Sequence, residues 1–295
     1  MRDPGIGERQ YAGEWMMTWA ESLMEAKQRL KAAGIADHDT DAFLLLSFLT
    51  GVSRTFIYTH GDEEIPGEQY GKYQELINKR LEHIPTQLLT GVQDFMGFEF
   101  EVEEGVLIPR LDTEFLVEEA LLEITDGAKV LDLCCGSGCI IISVAKLTNN
   151  IEAFASDISD EALGLTRRNA EKLGADISLI KSDLFDSIEE KFDFILSNPP
   201  YIRSGDIPHL MEEVREHDPH PALDGGEDGL DFYRRIAGTA GERLNGGGML
   251  IMETGSDEGE AVKEIFETAG YKNVELLKDY SGNERVVKCL KSWTT

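Results

Sequence analysis

The spacing of hydrophobic residues changes twice along the chain. Over residues 14–31, Trp15, Met16, Trp19, Leu23, Met24 and Leu30 recur at helical intervals, which predicts an amphipathic helix ending near Gly34. Asp39 or Thr40 offers a cap to a second helix over 41–50, and Gly51 stops it. A third follows Pro66-Gly67, lines up Tyr70, Tyr73, Leu76, Ile77 and Leu81, and ends before Pro85. Residues 1–84 therefore read as a small helical domain whose Met and Trp stripe packs its core.

Near residue 98 the period shortens to two. Residues 98–102 alternate, Glu104-Gly105 makes a turn and Val106-Leu107-Ile108 returns, a predicted β-hairpin inside a linker over 85–110. The segments 86–91 and 95–97 read as loop. Residues 109–114 then open a helix through Leu122, with Asp112 or Thr113 as its cap.

Beyond that, apolar runs of strand length alternate with helical stretches. Strands are predicted at 130–134, 151–156, 177–181, 192–197, 249–253, 274–278 and 285–290, with helices at 140–147, 161–173, 229–244 and 257–269. Residues 111–295 thus read as an α/β doubly wound, Rossmann-like sheet. Only residues 279–284 separate the last two strands, so these should pair antiparallel as a hairpin at the sheet edge.

Composition narrows the class. The chain has 295 residues, 41% of them hydrophobic, with no apolar run near the roughly 20 residues of a membrane span and no signal-peptide core at the start, so a cytoplasmic protein is expected. Cys134, Cys135, Cys139 and Cys289 form no Cys-x-x-Cys pair, which points to reduced, buried thiols and no metal. Net charge is −28, with 14 acidic and 9 basic residues up to Pro85 and 42 and 19 beyond it. Such a surface repels phosphate, so direct nucleic-acid binding is not expected.

Two stretches carry candidate chemistry. Gly136-Ser137-Gly138 joins the first sheet strand to its helix, and Asp157 closes the next strand, where its carboxylate can accept from both hydroxyls of a ribose. Ile141 occupies the third position of Gly-x-Gly-x-x-Gly, so a dinucleotide is the weaker choice of ligand. Asn198-Pro199-Pro200-Tyr201 ends another strand at its carboxyl end. The Asn198 carbonyl and the Pro199 carbonyl can take the two hydrogens of a planar NH2 group while the Tyr201 ring stacks on its face.

Taken together, Val130-Leu131-Asp132-Leu133-Cys134-Cys135-Gly136-Ser137-Gly138-Cys139-Ile140, Ser182-Asp183-Leu184-Phe185, Asn198-Pro199-Pro200-Tyr201-Ile202 and residues 222–230, with their Asp-Gly-Gly, resemble the release factor glutamine methyltransferases, the HemK/PrmC family. The likeness covers most of the chain, including residues 107–114 of the linker; Leu111 stands where that family usually has proline, and His217-Asp218-Pro219 where a Glu-Pro is common. It implies S-adenosylmethionine held by Asp132, Cys134, Cys135, Gly136, Ser137, Gly138, Asp157, Asp183, Leu184 and Asn198, with Asp132 helping to order the glycine turn and facing the cationic amino-acid end, and Asp183-Leu184 edging the adenine. It also implies methyl transfer to the glutamine amide of a release factor's Gly-Gly-Gln loop, with Asn198, Pro199, Pro200 and Tyr201 as the catalytic residues; since one glutamine side chain is too little to select a protein, the separate helical domain is expected to recognise the substrate. The rival readings are a nucleic-acid amino-methyltransferase, which uses the same tetrapeptide, and a non-catalytic S-adenosylmethionine-binding module.

Overall fold

The structure, a computed structural model, describes residues 17–292 and divides into two compact units, one running to Thr90 and the other starting at Gly91. The first unit comprises α1 (Trp19–Ala32), α2 (His38–Thr50), α3 (Arg54–His60), α4 (Gly67–Leu81) and α5 (Thr86–Thr90). A reciprocal pair of hydrogen bonds starts α1: the Glu21 amide donates to the Thr18 hydroxyl at 3.2 Å and the Thr18 amide to the Glu21 carboxylate at 3.0 Å. The helix therefore begins at Trp19, later than its hydrophobic spacing predicts; Met17 and Thr18 are not helical, and Glu14, Trp15 and Met16 lie outside the described residues. In α2, Asp39 and Thr40 sit inside the first turn rather than capping it, while Gly51 ends it in the left-handed conformation as expected. The unforeseen α3 has seven residues, too few to display a period, and Ser53 caps it through the Phe56 amide. Trp19, Leu30, Leu45, Leu46, Tyr73 and Ile77 fill the core. Inside it, Arg80 of α4 donates to Asp41 of α2 at 2.8 Å, both side chains nearly enclosed.

The second unit opens with β1 (Val92–Phe95) and β2 (Phe98–Glu101), an antiparallel hairpin in which Phe95 faces Phe98. Met96 and Gly97 form its turn with φ of 51° and 76°, positive at both central positions as a two-residue type I′ turn requires. This corrects the predicted hairpin: 98–101 pairs backwards with 92–95, a stretch with no predicted strand, not forwards with 106–108. Methionine is an uncommon residue at positive φ, so the turn carried a weak signal. The predicted loop at 86–91 likewise contains α5.

A 3₁₀ turn (Leu111–Thr113) leads into α6 (Glu114–Glu123), and then β3 (Lys129–Leu133), α7 (Cys139–Leu147), β4 (Glu152–Asp157), α8 (Asp160–Leu173), β5 (Ser178–Lys181) and β6 (Phe192–Ser197) follow. After a second 3₁₀ turn (Ile207–His209) come the short α9 (Glu212–His217) and α10 (His220–Leu223), then α11 (Asp231–Arg243), β7 (Leu244–Glu253), α12 (Gly259–Thr268), β8 (Lys272–Lys278) and β9 (Glu284–Leu290). The seven-stranded sheet has the order β5-β4-β3-β6-β7-β9-β8, parallel except for β9. Alternate residues of its central strands enter opposite layers, Val130, Leu196 and Ile251 one core and Leu131, Ile195 and Leu250 the other, so both faces are covered. The last two strands form the expected antiparallel hairpin, but folded inwards. The largely buried β9 sits beside β7, and the half-exposed β8 takes the edge. Strand order reverses between β3 and β6, which opens a crevice at their carboxyl ends.

Candidate functional site

At the end of β3 the chain enters α7 through three left-handed residues, Cys134 (φ 64°), Gly136 (φ 55°) and Gly138 (φ 79°). Gly138 has a second reason to lack a side chain, since a Cβ there would lie 2.7 Å from the Thr166 methyl on α8. Cys134 bears the left-handed conformation with a side chain, a strain of roughly 1–2 kcal/mol, and sits where chain and crevice meet.

The turn borders a cavity of about 430 Å³, a size ordinary for a small-molecule site. Cys134, Cys135, Gly136 and Ser137 line it from β3, Asp157, Asp183 and Leu184 from the ends of β4 and β5, Asn198 and Pro200 from β6, and Val106, Leu107 and Ile108 from the linker. That apolar wall is where the residues of the expected return strand go; Val106 packs on Ala162 and Leu165 of α8. Asp157 is held by two amides, Gly136 donating to Oδ2 at 3.0 Å and Ser159 to Oδ1 at 2.9 Å. A carboxylate has about four acceptor positions, so Asp157 keeps capacity for a ligand's hydroxyls. Asp183 is half-exposed and accepts from Arg235 at 2.7 Å.

Four of the predicted site residues are not part of the cavity wall: Asp132, Gly138, Pro199 and Tyr201. Asp132 is fully buried and accepts from the Ile141 amide of α7 at 3.3 Å, so it orders the turn from beneath instead of facing a ligand. Burial pushes its carboxyl well above the usual range, the Asp157 charge adds to this, and its second oxygen has no partner. Burial also raises the thiols, Cys139 to about 12 and Cys134 and Cys135 further, which keeps them neutral and unreactive. Among the described residues no group of His, Cys, Asp and Glu is arranged to hold a metal ion.

The carboxyl end of β6 is fixed from several sides. Ser197 donates to the Leu133 carbonyl at 2.7 Å and joins the ends of β6 and β3. The Ile202 amide donates to Leu223 at 2.9 Å and the Gly225 amide to Ile202 at 2.8 Å, lacing the Asp-Gly-Gly segment to the tetrapeptide. A Cβ on Gly225 would come within 2.7 Å of the Tyr201 Cα, which explains glycine there. Asn198 donates through Nδ2 to the Thr113 hydroxyl at 3.2 Å, which leaves its carbonyl oxygen as the free end of the amide.

Sequence reasoning missed two participants. Thr113 appeared only as a helix cap, yet its side chain makes no cap bond and serves Asn198. Glu253, the last residue of β7, is 1% exposed and accepts from the Tyr201 hydroxyl at 3.3 Å. Burial lifts its carboxyl to about 7 against the opposing pull of the Thr113 hydroxyl, the Arg285 charge and the Tyr201 hydroxyl. The available signal was an acid closing the apolar run Met249-Leu250-Ile251-Met252.

Comparison with known proteins adds an independent line. Residues 21–91 match the PrmC N-terminal domain family and residues 110–217 the methyltransferase small domain family. The chain is 40% identical over 278 residues to the release factor glutamine methyltransferase of Clostridium acetobutylicum, covering 92% of this chain and 98% of that protein. It is 41% identical over 282 residues to the protein of the same name from Clostridium botulinum, covering 93% and 100%. Among solved structures, a methyltransferase from Pyrococcus furiosus aligns with a TM-score of 0.51 at 20% identity, over 75% of this chain and 99% of that one. At that identity the likeness is one of fold.

Proposed function

The chain belongs to the release factor glutamine methyltransferase family, and from that premise we propose that it transfers a methyl group from S-adenosylmethionine to the side-chain amide nitrogen of the glutamine in the Gly-Gly-Gln loop of peptide chain release factors. The observation that carries this reading is Asn198, seated at the mouth of the crevice with its amide nitrogen engaged by Thr113 and its carbonyl oxygen left to accept.

The cavity suits the methyl donor. A turn with two left-handed glycines lets a ligand approach the backbone closely, Asp157 retains acceptors for ribose hydroxyls, Asp183 and Leu184 edge the adenine, and the linker supplies an apolar wall. Bound S-adenosylmethionine supplies an electrophilic methyl on a sulfonium sulfur. An amide nitrogen is a poor nucleophile because its lone pair is delocalised, and the cavity offers no strong base, its thiols being neutral. Positioning therefore supplies the rate: Asn198 Oδ1 and the Pro199 carbonyl take the two amide hydrogens, aim the nitrogen at the methyl and stabilise positive charge as it develops. The proton departs to water after the new bond has formed.

Selection of the protein substrate falls to the helical unit, because one glutamine side chain is too little to distinguish a partner. Phe48 and Tyr58 of that unit are exposed large apolar side chains. Phe48→Ser with Tyr58→Ser should raise KM for the release factor and leave KM for S-adenosylmethionine alone; an unchanged release-factor KM would remove this surface from recognition. The reading places the protein in the cytoplasm, where release factors act. Transfer of labelled methyl from S-adenosylmethionine to purified release factor, run beside DNA and RNA of matched concentration, tests the whole proposal. Label in the protein alone is expected; label in nucleic acid alone would contradict it.

A further inference from the structure

Because Asp132 is buried beneath the glycine turn, it leaves the amino-acid end of the methyl donor, a carboxylate beside an ammonium group, to other residues. Strand order says where that end lies. The proposed adenine and ribose partners, Asp183 and Asp157, stand at the ends of β5 and β4, and the crevice continues past β3 to Asn198 at the end of β6. With strands about 4.8 Å apart, β5 and β6 are separated by about 14 Å. Arg110 stands at the β6 end: its carbonyl accepts from the Thr113 amide at 3.0 Å, and the Thr113 hydroxyl accepts from Asn198 at 3.2 Å. The charged residues that line the cavity are Arg110, Asp157, Glu161 and Asp183. Arg110 is thus the one cation among the described residues of a wall that is otherwise acidic, and an entering carboxylate has no other charge to pair with.

The guanidinium is held from behind. Its Nη2 donates to Asp218 Oδ2, and the Asp218 side chain is only 2% exposed while that of Arg110 is 39% exposed, so the pair has one buried end and one open end. Asp218 is itself fixed at the close of α9, its amide donating to the Val214 carbonyl at 3.1 Å, and Pro219, Pro221 and Ala222 beyond it continue the cavity wall. Burial raises the Asp218 carboxyl above the usual range, and the Arg110 charge opposes the rise. A guanidinium carries five N–H groups in a planar fork, so after serving Asp218 it keeps donors for a second carboxylate.

We infer that Arg110 binds the carboxylate at the amino-acid end of the methyl donor, and that Asp218 is a positioning residue that holds the guanidinium for it. The inference rests on the S-adenosylmethionine part of the proposed function and adds the anchor for the donor's far end. With the ribose at Asp157 and the carboxylate at Arg110, the sulfonium that joins them is held from both sides, as an aimed methyl requires.

The test is calorimetric binding of three ligands to the whole chain: S-adenosylmethionine, its decarboxylated form, and methylthioadenosine, which lacks the entire amino-acid end. The wild type should bind S-adenosylmethionine roughly ten- to a hundredfold more tightly than the decarboxylated form, the range for a hydrogen bond to a charged group. Arg110→Gln should erase that preference and leave methylthioadenosine binding unchanged, which also shows that the variant folds. Asp218→Asn should lose a smaller part of the preference, and in an Arg110→Gln background it should cost nothing more. A wild type without the preference, or an Arg110→Gln protein that keeps it, would overturn the inference and leave the function standing. Equal losses for all three ligands would overturn it too, since Arg110 would then only support the cavity wall. A wild type that binds none of the three would overturn both. If Arg110→Gln does not fold, Asp218→Asn decides, an undiminished preference counting against the inference.

Discussion

The two units bury charge in opposite ways. In the helical unit, Asp41 and Arg80 are enclosed but face each other at 2.8 Å, so the pair serves the packing of α2 on α4. In the sheet unit, Asp132, Glu253 and Glu258 each keep one buried oxygen without a partner, and burial raises all three carboxyls, the last two to about 7. All three stand at carboxyl ends of strands or at the start of the helix that follows. A fold that needed only stability would neutralise or pair such groups. Where they stay half-satisfied, the sheet is giving up stability around its crevice to hold polar atoms in fixed directions.

The largest effect expected from breaking this contrast lies in the helical unit. Asp41→Ala removes the carboxylate that accepts from Arg80 at 2.8 Å inside a core and should destabilise that unit by about 3–5 kcal/mol, read as an early transition in thermal unfolding, while calorimetric S-adenosylmethionine binding by the other unit survives. A single unshifted transition would mean the pair contributes nothing.

Glu253 should behave in the opposite sense. Its folded-state carboxyl is raised from about 4.5 to about 7, so its favourable contribution is complete below the unfolded value and is lost as pH rises through 7. Above neutrality Glu253→Gln should therefore be more stable than the wild type, by on the order of 3 kcal/mol. Denaturant titration on both sides of neutrality measures this, and equal stability at alkaline pH would show that the carboxylate is not held at a cost.

The smallest effect concerns the methyl-donor end of the crevice. Asp157→Ala removes a charged acceptor and should weaken S-adenosylmethionine binding by about 1.5–3 kcal/mol, measured by calorimetry. An unchanged dissociation constant would move the ribose to Asp183.

What could be read from sequence divides along the same line. The parallel strands, the glycine turn, Asp157 and Asn198 were legible because buried runs and strand-end motifs are local patterns. The hairpin partner of β2 was not, because a Met-Gly turn and the apolar run 106–108 both looked like something else until the cavity claimed the latter. Asp132 orders the glycine turn as expected but does so fully buried, facing no ligand, since a sequence shows the order of residues but not which side of a strand end faces solvent. Glu253 meets Tyr201, and Thr113 meets Asn198, across 52 and 85 residues of chain, contacts that no local pattern displays.

The central claim is that Asn198 holds a glutamine amide for methylation. Tandem mass spectrometry of purified release factor, after incubation with S-adenosylmethionine and either the wild type or Asn198→Ala, tests it most directly. One added methyl on the side chain of the Gly-Gly-Gln glutamine is predicted with the wild type. With Asn198→Ala the rate should fall by about 10²–10³, or 2.7–4 kcal/mol, while S-adenosylmethionine still binds. A methyl found elsewhere, or wild-type rates from the variant, would contradict it.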